Sequence, residues 1–170
     1  MVGIVVVSHS PDLAGAAVRL ALQMVQGPAP PIEVAAGTSD DRLGTDAARV
    51  AEAITAADDG DGVVVIMDLG SAVLSAELAL ELLPEPSSKI RLVPAAFVEG
   101  IFAAVIAAAA GSEIDVVAPS AAEALDAKAV QLDHAQLDQA QWATDFSGPA
   151  HRSPSGRRAK SRTALRVGCC

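Results

Sequence analysis

Short apolar runs rich in Val and Ile alternate along the chain with longer stretches whose apolar residues recur at helical spacing. The runs predict strands at residues 3–7, 32–36, 63–67 and 90–93, with a short fifth strand at 114–117. The longer stretches predict a helix that starts after Ser10 and ends at Gly27, followed by helices at 45–57, 71–83, 98–110 and 120–132. We assign the cap of the helix at 45–57 to Thr45. Continuously apolar strands are typical of a sheet that is covered on both faces.

This alternation predicts an α/β fold, an open and mostly parallel sheet of four or five strands with helices on both faces. Right-handed crossovers would bring the carboxyl ends of the strands to one edge, where such folds place their chemistry. His9, Gly37, Asp68 and Pro94 would then line one crevice. We expect one domain over residues 1–135. Residues 136–170, rich in Ser, Gly, Pro and Arg, should form a basic, disordered tail.

Composition narrows the class of protein. The aromatic content is only 2%, which disfavours a base-stacking nucleic-acid surface. All 21 acidic residues precede position 150, against six of the 12 Lys and Arg, so this acidic body should repel nucleic acid and anionic membranes. Cys169 and Cys170 are adjacent and suggest neither a disulfide framework nor a metal site. The chain starts directly in a strand without a signal-peptide pattern, so we expect a soluble, cytoplasmic protein.

His9 is the residue in this pattern with the widest chemical range, because imidazole can act as a base, a metal ligand or a nucleophile. Asp68 ends another strand, and a carboxylate bonded to one ring nitrogen would leave the other nucleophilic. A turn at Leu69, Gly70 and Ser71 then leads into a helix. The first N–H groups of a helix form a natural anion site. Together these residues suggest a histidine that carries a phosphoryl group.

Other interpretations remain open at this point. A histidine at a strand end is often only a turn residue, and a solvated loop explains Asp40 and Asp41. A Ser/His/Asp hydrolase is disfavoured because the chain has no Gly-x-Ser-x-Gly elbow. A metal site lacks candidates, since His134 and His151 lie on a terminal helix and in the tail. Glu99 is either an ordinary acid in the first turn of a helix or a border of the crevice.

Several separate motifs carry a family resemblance over roughly residues 1–135. They are VSHS (7–10), AAG (35–37), GTDA (44–47), MDLGSA (67–72), LSAE (74–77) and VEG (98–100). In this order and spacing they resemble the phosphotransferase subunit of the phosphoenolpyruvate-dependent dihydroxyacetone kinase (DhaM type), a relative of the mannose-family enzyme IIA domains of the sugar phosphotransferase system (PTS). The tail ending in Cys169 and Cys170 matches nothing in that family.

The resemblance implies a phosphoryl relay. His9 would accept a phosphoryl group from the phosphocarrier HPr and pass it to ADP on the nucleotide-binding (DhaL-type) kinase subunit, which works with a dihydroxyacetone-binding (DhaK-type) subunit. Asp68 would orient the ring, while Gly37, Gly70 and Ser71 would hold the phosphoryl oxygens. The family also implies a homodimer, no cofactor and the role of a phosphoenolpyruvate–glycerone phosphotransferase component. Some members continue into HPr-like and Enzyme I-like domains, which this chain lacks, so we expect a separate donor.

The alternatives to this relay share its histidine. One is a mannose-type sugar enzyme IIA that passes the phosphoryl group to a IIB domain. The other is a regulatory module in which phosphorylated His9 serves only as a signal. The motifs around Thr45 and Asp68 favour the kinase branch.

Overall fold

The computed structural model describes residues 1–38, 42–84 and 89–145, with side chains as far as residue 134. Contacts divide the chain into two units, Met1–Asp133 and His134–Cys170. The elements are β1 (Gly3–Ser8), α1 (Pro11–Leu22), β2 (Ile32–Ala36), α2 (Ala47–Ala57), β3 (Val63–Met67), α3 (Gly70–Leu82), β4 (Ile90–Val93), α4 (Phe97–Ala109), α5 (Ile114–Ala122) and α6 (Ala124–Asp145).

The strands form a four-stranded sheet in the order β2-β1-β3-β4, and each neighbouring pair is parallel. β1 therefore lies between β2 and β3, with Val7 opposite both Ala35 and Met67. Because the strands run in one direction, the loops that follow β1, β2 and β3 leave the sheet at the same edge. The predicted α/β class with an open parallel sheet is confirmed.

The two faces of the sheet bury separate cores. On β1, Ile4 and Val6 face a cluster completed by α1, α4 and α5, whereas Val5 and Val7 face a cluster completed by α2 and α3. All four side chains are fully buried. This explains why β1 is apolar without alternation, as expected of a strand covered on both faces.

Small residues bring the helices close to the sheet. The buried faces of α1 and α3 consist largely of alanine, at positions 14, 17 and 21 in α1 and 72, 76 and 79 in α3. At the start of β1, a Cβ added to Gly3 would lie only 2.1 Å from the Ala57 carbonyl oxygen. The Ala-rich composition is therefore the counterpart of close helix-to-sheet packing.

Helices α1 and α2 begin with side-chain caps. Ser10 accepts a hydrogen bond from the Leu13 N–H, and Pro11 occupies the first turn, which agrees with the predicted helix start after Ser10. The predicted cap at Thr45 is wrong, since Asp46 caps α2 by accepting from the N–H groups of Ala48 and Arg49. The Thr45 hydroxyl instead forms a hydrogen bond with Ser75.

The predicted fifth strand at 114–117 is also wrong, because these residues begin α5. Ile114, Val117 and Ala121 are buried, a spacing of three and four that places them on one face of a helix. A four-residue apolar run does not distinguish a strand from a helical turn by its pattern alone. The helix predicted at 120–132 is correspondingly divided between α5 and α6.

The tail predicted at residues 136–170 lies only partly within the described residues. Helix α6 continues to Asp145, past the start of the predicted tail at residue 136, while residues 146–170 lie outside the described part of the chain. Over the described residues, no helix combines the length and apolar character needed to cross a membrane.

Candidate active site

His9 and Asp68 meet at the carboxyl edge of the sheet. His9 follows β1 and Asp68 follows β3, and the adjacency of these strands brings the His9 Nδ1 to 2.9 Å from the Asp68 Oδ1. The backbone N–H of His9 donates to the other carboxylate oxygen at 2.8 Å. One carboxylate thus holds both the backbone and the ring of this histidine.

The Asp68 side chain is only 8% exposed, and several hydrogen bonds reach its two carboxylate oxygens. Burial alone would raise its pKa. Four hydrogen bonds oppose this effect, from the N–H and ring of His9, the Ser8 hydroxyl and the Leu69 N–H. They outweigh burial, so the pKa of Asp68 is lowered. Asp68 is therefore an anion at neutral pH.

The charge on Asp68 determines which ring nitrogen can react. An ionised carboxylate only accepts hydrogen bonds, so the network assigns the ring proton to Nδ1 of His9. In the neutral ring the Nε2 atom then carries the lone pair and accepts a hydrogen bond from the Ser71 hydroxyl at 2.6 Å. His9 is 26% exposed and Ser71 is exposed, which makes Nε2 an accessible nucleophile.

Ser8 is a site residue that the sequence pattern did not single out. It is fully buried and is the one buried polar residue in the described part of the chain. Its hydroxyl lies 2.9 Å from Asp68 Oδ2 and 3.2 Å from the Ser10 carbonyl, and accepts from the Ser10 N–H. A hydroxyl that directly follows five apolar strand residues is the sequence signal that could have identified it.

The loop after β2 holds the backbone on the other side of His9. The Gly37 N–H donates to the Ser8 carbonyl, and the Gly44 N–H donates to the His9 carbonyl, both at 3.1 Å. Gly37 has φ +72°, in the left-handed region that favours glycine. The hydrogen bond from Gly37 to Ser8 and this positive φ together set the start of the loop.

Gly70 and Ser71 open α3 beside the ring. Helices leave the N–H groups of their first turn without intrahelical acceptors, and Leu69 at the cap contributes no side-chain hydrogen bond. The positive end of the helix dipole therefore lies next to Nε2. A Cβ added to Gly70 would meet nothing within 4 Å, so this position opens onto free space.

The other candidates lie apart from this network. Pro94 follows β4, and no described hydrogen bond connects it to His9 or Asp68. Glu99 forms an ion pair with Lys128, which lowers the pKa of its carboxyl group. Asp40 and Asp41 lie outside the described residues. The structure thus brings together His9, Asp68, Gly37 and Ser71, with Gly70 adjacent.

Comparison with known proteins defines the class. The family described as "PTS system fructose IIA component" (EIIA-man) matches residues 3–118. The chain therefore belongs to this enzyme IIA family.

Individual relatives of the chain point to one kind of subunit within the family. It is 50% identical over 135 residues to the "PEP-dependent dihydroxyacetone kinase, phosphoryl donor subunit DhaM" of Escherichia coli (strain K12), an alignment covering 78% of this chain and 29% of that protein. It is 39% identical over 107 residues to the phosphoryl donor subunit DhaM of "PEP-dependent dihydroxyacetone kinase 2" from Listeria innocua, covering 62% of this chain and 85% of that protein. The resemblance to DhaM-type subunits is confirmed.

A comparison with solved structures supports the α/β fold. The crystal structure of EF1359, a protein of unknown function, is 34% identical with a TM-score of 0.62, and the match covers 72% of this chain and 93% of that one. The chain spans less than a third of the length of the Escherichia coli relative.

Proposed function

We propose that this protein is the phosphoryl relay of a dihydroxyacetone kinase system. His9 accepts a phosphoryl group from phospho-HPr and transfers it to ADP bound on the nucleotide-binding subunit of the kinase. The observation that carries the proposal is the orientation of one ring, with Nδ1 bound to ionised Asp68 and Nε2 facing Ser71 at the start of α3. The names of the relatives, phosphoryl donor subunits, support the same role.

In the first transfer, the Nε2 lone pair attacks phosphorus as the bond to the donor's histidine breaks. The hydrogen bond between Ser71 and Nε2 is then lost, and the Ser71 hydroxyl turns to a phosphoryl oxygen. The N–H groups of Gly70 and Ser71 provide further donors at the end of the helix dipole. Asp68 stabilises the positive charge that develops on the ring.

In the second transfer, an oxygen of the β-phosphate of ADP attacks phosphorus and the N–P bond breaks. ATP forms on the partner, and the ring returns to its Nδ1–H form without gaining or losing a proton. The protein's part is positioning and charge stabilisation, as expected for phosphoryl transfer. In this scheme Gly37 shapes the loop beside the site and does not bind the phosphoryl oxygens through its N–H, because that N–H already donates to the Ser8 carbonyl.

The test is labelling with phosphoenolpyruvate, Enzyme I and HPr. The unmodified protein takes up an acid-labile phosphoryl group, and His9→Gln takes up none, because the accepting nitrogen is gone. His134→Gln, which removes an exposed histidine of α6, is the matched control and retains full labelling. Acid-labile label on folded His9→Gln would refute the proposal.

The acceptor is tested separately. Isolated phosphorylated protein mixed with the ADP-loaded kinase subunit should yield ATP in proportion to the label lost. Transfer to a IIB domain, with no ATP formed, would instead assign the chain to a mannose-type sugar transport system. The proposed assembly also includes a homodimer of this chain and a DhaK-type subunit. Light scattering tests the homodimer, and reconstitution of dihydroxyacetone phosphorylation tests the need for the DhaK-type subunit.

A further inference from the structure

We propose that Arg49, near the start of α2, is a positioning residue for phosphoryl transfer at His9. The inference rests on the proposed relay function. Arg49 is partly exposed, and its guanidinium Nη1 donates to the carbonyl oxygens of Ala36 and Gly37, both at 3.1 Å. It thereby connects α2 to the point where β2 ends and the loop beside the site begins.

The Arg49 contact is directed at the residue that supports the backbone before His9. Gly37 donates its N–H to the Ser8 carbonyl and accepts from Arg49 through its own carbonyl. Gly37 has a positive φ, and the Pro11 side chain lies 3.0 Å from the position that a Cβ would take, so any side chain at this position would strain the loop. Arg49 and Ser8 thus hold Gly37 from opposite sides.

The same loop returns to His9 at Gly44, whose N–H donates to the His9 carbonyl. Asp68 holds the N–H and ring of His9 from the β3 side. The backbone around His9 is therefore fixed between a carboxylate on one side and the loop after β2 on the other. Loss of Arg49 would free the Gly37 carbonyl and loosen the loop side of this arrangement.

Arginine suits this position because its hydrogen bonds to carbonyl groups are charge-assisted and stronger than neutral ones. Its own backbone is held as well, since the Arg49 N–H donates to the capping carboxylate of Asp46. The guanidinium therefore extends from a fixed helix start. Lys preserves the charge and a donor at a similar reach, whereas Met preserves length and removes both.

The experiment measures single-turnover transfer from phospho-HPr to the 170-residue protein over a range of HPr concentrations up to saturation. We expect Arg49→Met to lower the rate constant about tenfold, because small displacements of a reacting group have large kinetic effects, with the apparent affinity for HPr unchanged. Arg49→Lys should restore most of the rate. Arg19→Met, which changes an exposed arginine in the last turn of α1, should match the unmodified protein.

A second measurement separates this inference from the proposed function. Amide hydrogen exchange at Gly37 and Gly44 should accelerate about tenfold in Arg49→Met and return toward the unmodified rate in Arg49→Lys, as expected for local opening of the loop. This readout does not depend on phosphorylation, so it tests the loop even if His9 accepts no phosphoryl group.

Unchanged exchange and an unchanged rate constant in folded Arg49→Met would overturn the inference. A loss confined to affinity for HPr would also overturn it, because Arg49 would then be a docking residue. If Arg49→Met does not fold, Arg49→Ala, which also removes the charge and the donors, provides the same comparison. Equal rates in Arg49→Ala and the unmodified protein would again refute the positioning role.

Discussion

Asp68 keeps its negative charge beside His9 because four donors converge on its two oxygens. A buried carboxylate without such partners would favour its neutral form. The neutral acid would offer a proton to the ring as well as accept one, and the tautomer of His9 would no longer be defined. In the proposed relay, the ionised form of Asp68 therefore leaves Nε2, and not Nδ1, as the reacting atom.

Replacing Asp68 by Asn tests this assignment. The amide accepts on one oxygen only, so it cannot serve the N–H and the ring of His9 together. We expect the transfer rate to fall by about ten- to a hundredfold while His9 is still phosphorylated slowly. Nitrogen-15 NMR of the ring should show loss of the uniform Nδ1–H form.

The matched control is Asp115→Asn, which removes an exposed carboxylate paired with Lys89 and Arg91. It should transfer at the unmodified rate. An unchanged rate in Asp68→Asn, with the tautomer altered, would exclude Asp68 from the mechanism.

Part of the site could be predicted from local sequence. His9 and Asp68 end apolar strands, and Gly70 and Ser71 open a helix, so parallel-sheet geometry alone brings them to one edge. The contributions of Gly44 and Arg49 could not be predicted in this way. Each depends on a hydrogen bond to a residue distant in sequence, from Gly44 to His9 and from Arg49 to Ala36.

At the scale of elements, the start of β1 lies close against the end of α2. The Ala57 carbonyl occupies the space that a side chain of Gly3 would need. β1 is hydrogen-bonded to a strand on each side, so it cannot shift away from the helix alone. Glycine is required here by space and not by an unusual φ.

Gly3→Ala should therefore destabilise the fold, by about 1–3 kcal/mol as is typical of overpacking. The free energy of unfolding in denaturant measures the effect. Gly70→Ala is the control, because a Cβ there meets nothing within 4 Å, and its stability should equal or slightly exceed that of the unmodified protein. A stability of Gly3→Ala equal to that of the control would contradict the described packing.

Strands were easier to predict than the C-terminal helices. Strands β2, β3 and β4 have the bounds predicted from their apolar runs, and β1 extends by one residue to Ser8. The apolar run at 114–117 is the exception, because it is helical. Ile114 and Val117 pack against the sheet from a helix, and only the position of α5 on the folded core determines that outcome.

At the scale of the whole molecule, we expect the carboxyl groups with lowered pKa values to determine how stability responds to acid. Asp68, Glu99 and Asp115 have lowered pKa values. Glu99 and Asp115 are more exposed, so Asp68 should contribute most. A carboxyl with a lowered folded-state pKa stabilises the fold above its unfolded pKa, and that contribution is lost as pH falls through the folded value.

We therefore expect the free energy of unfolding to fall as pH decreases below about 4, near the ordinary pKa of 3.8 for Asp68. Denaturant titrations between pH 6 and pH 3 measure the slope. The decrease should be smaller in Asp68→Asn, which has no charge to lose at this position. An equal slope in both proteins would show that Asp68 is not the dominant linked group.

The pairing of β1 has a consequence for which mutations the protein can tolerate. Successive residues of β1 face opposite cores, and each is matched to fixed partners on β2 and β3. Deleting a single codon within β1 would exchange the two faces for every residue on one side of the gap and move His9 one step from Asp68. Substitutions among Val and Ile would preserve this arrangement. Natural variation in β1 should therefore consist of apolar exchanges at constant length, with insertions and deletions confined to the loops.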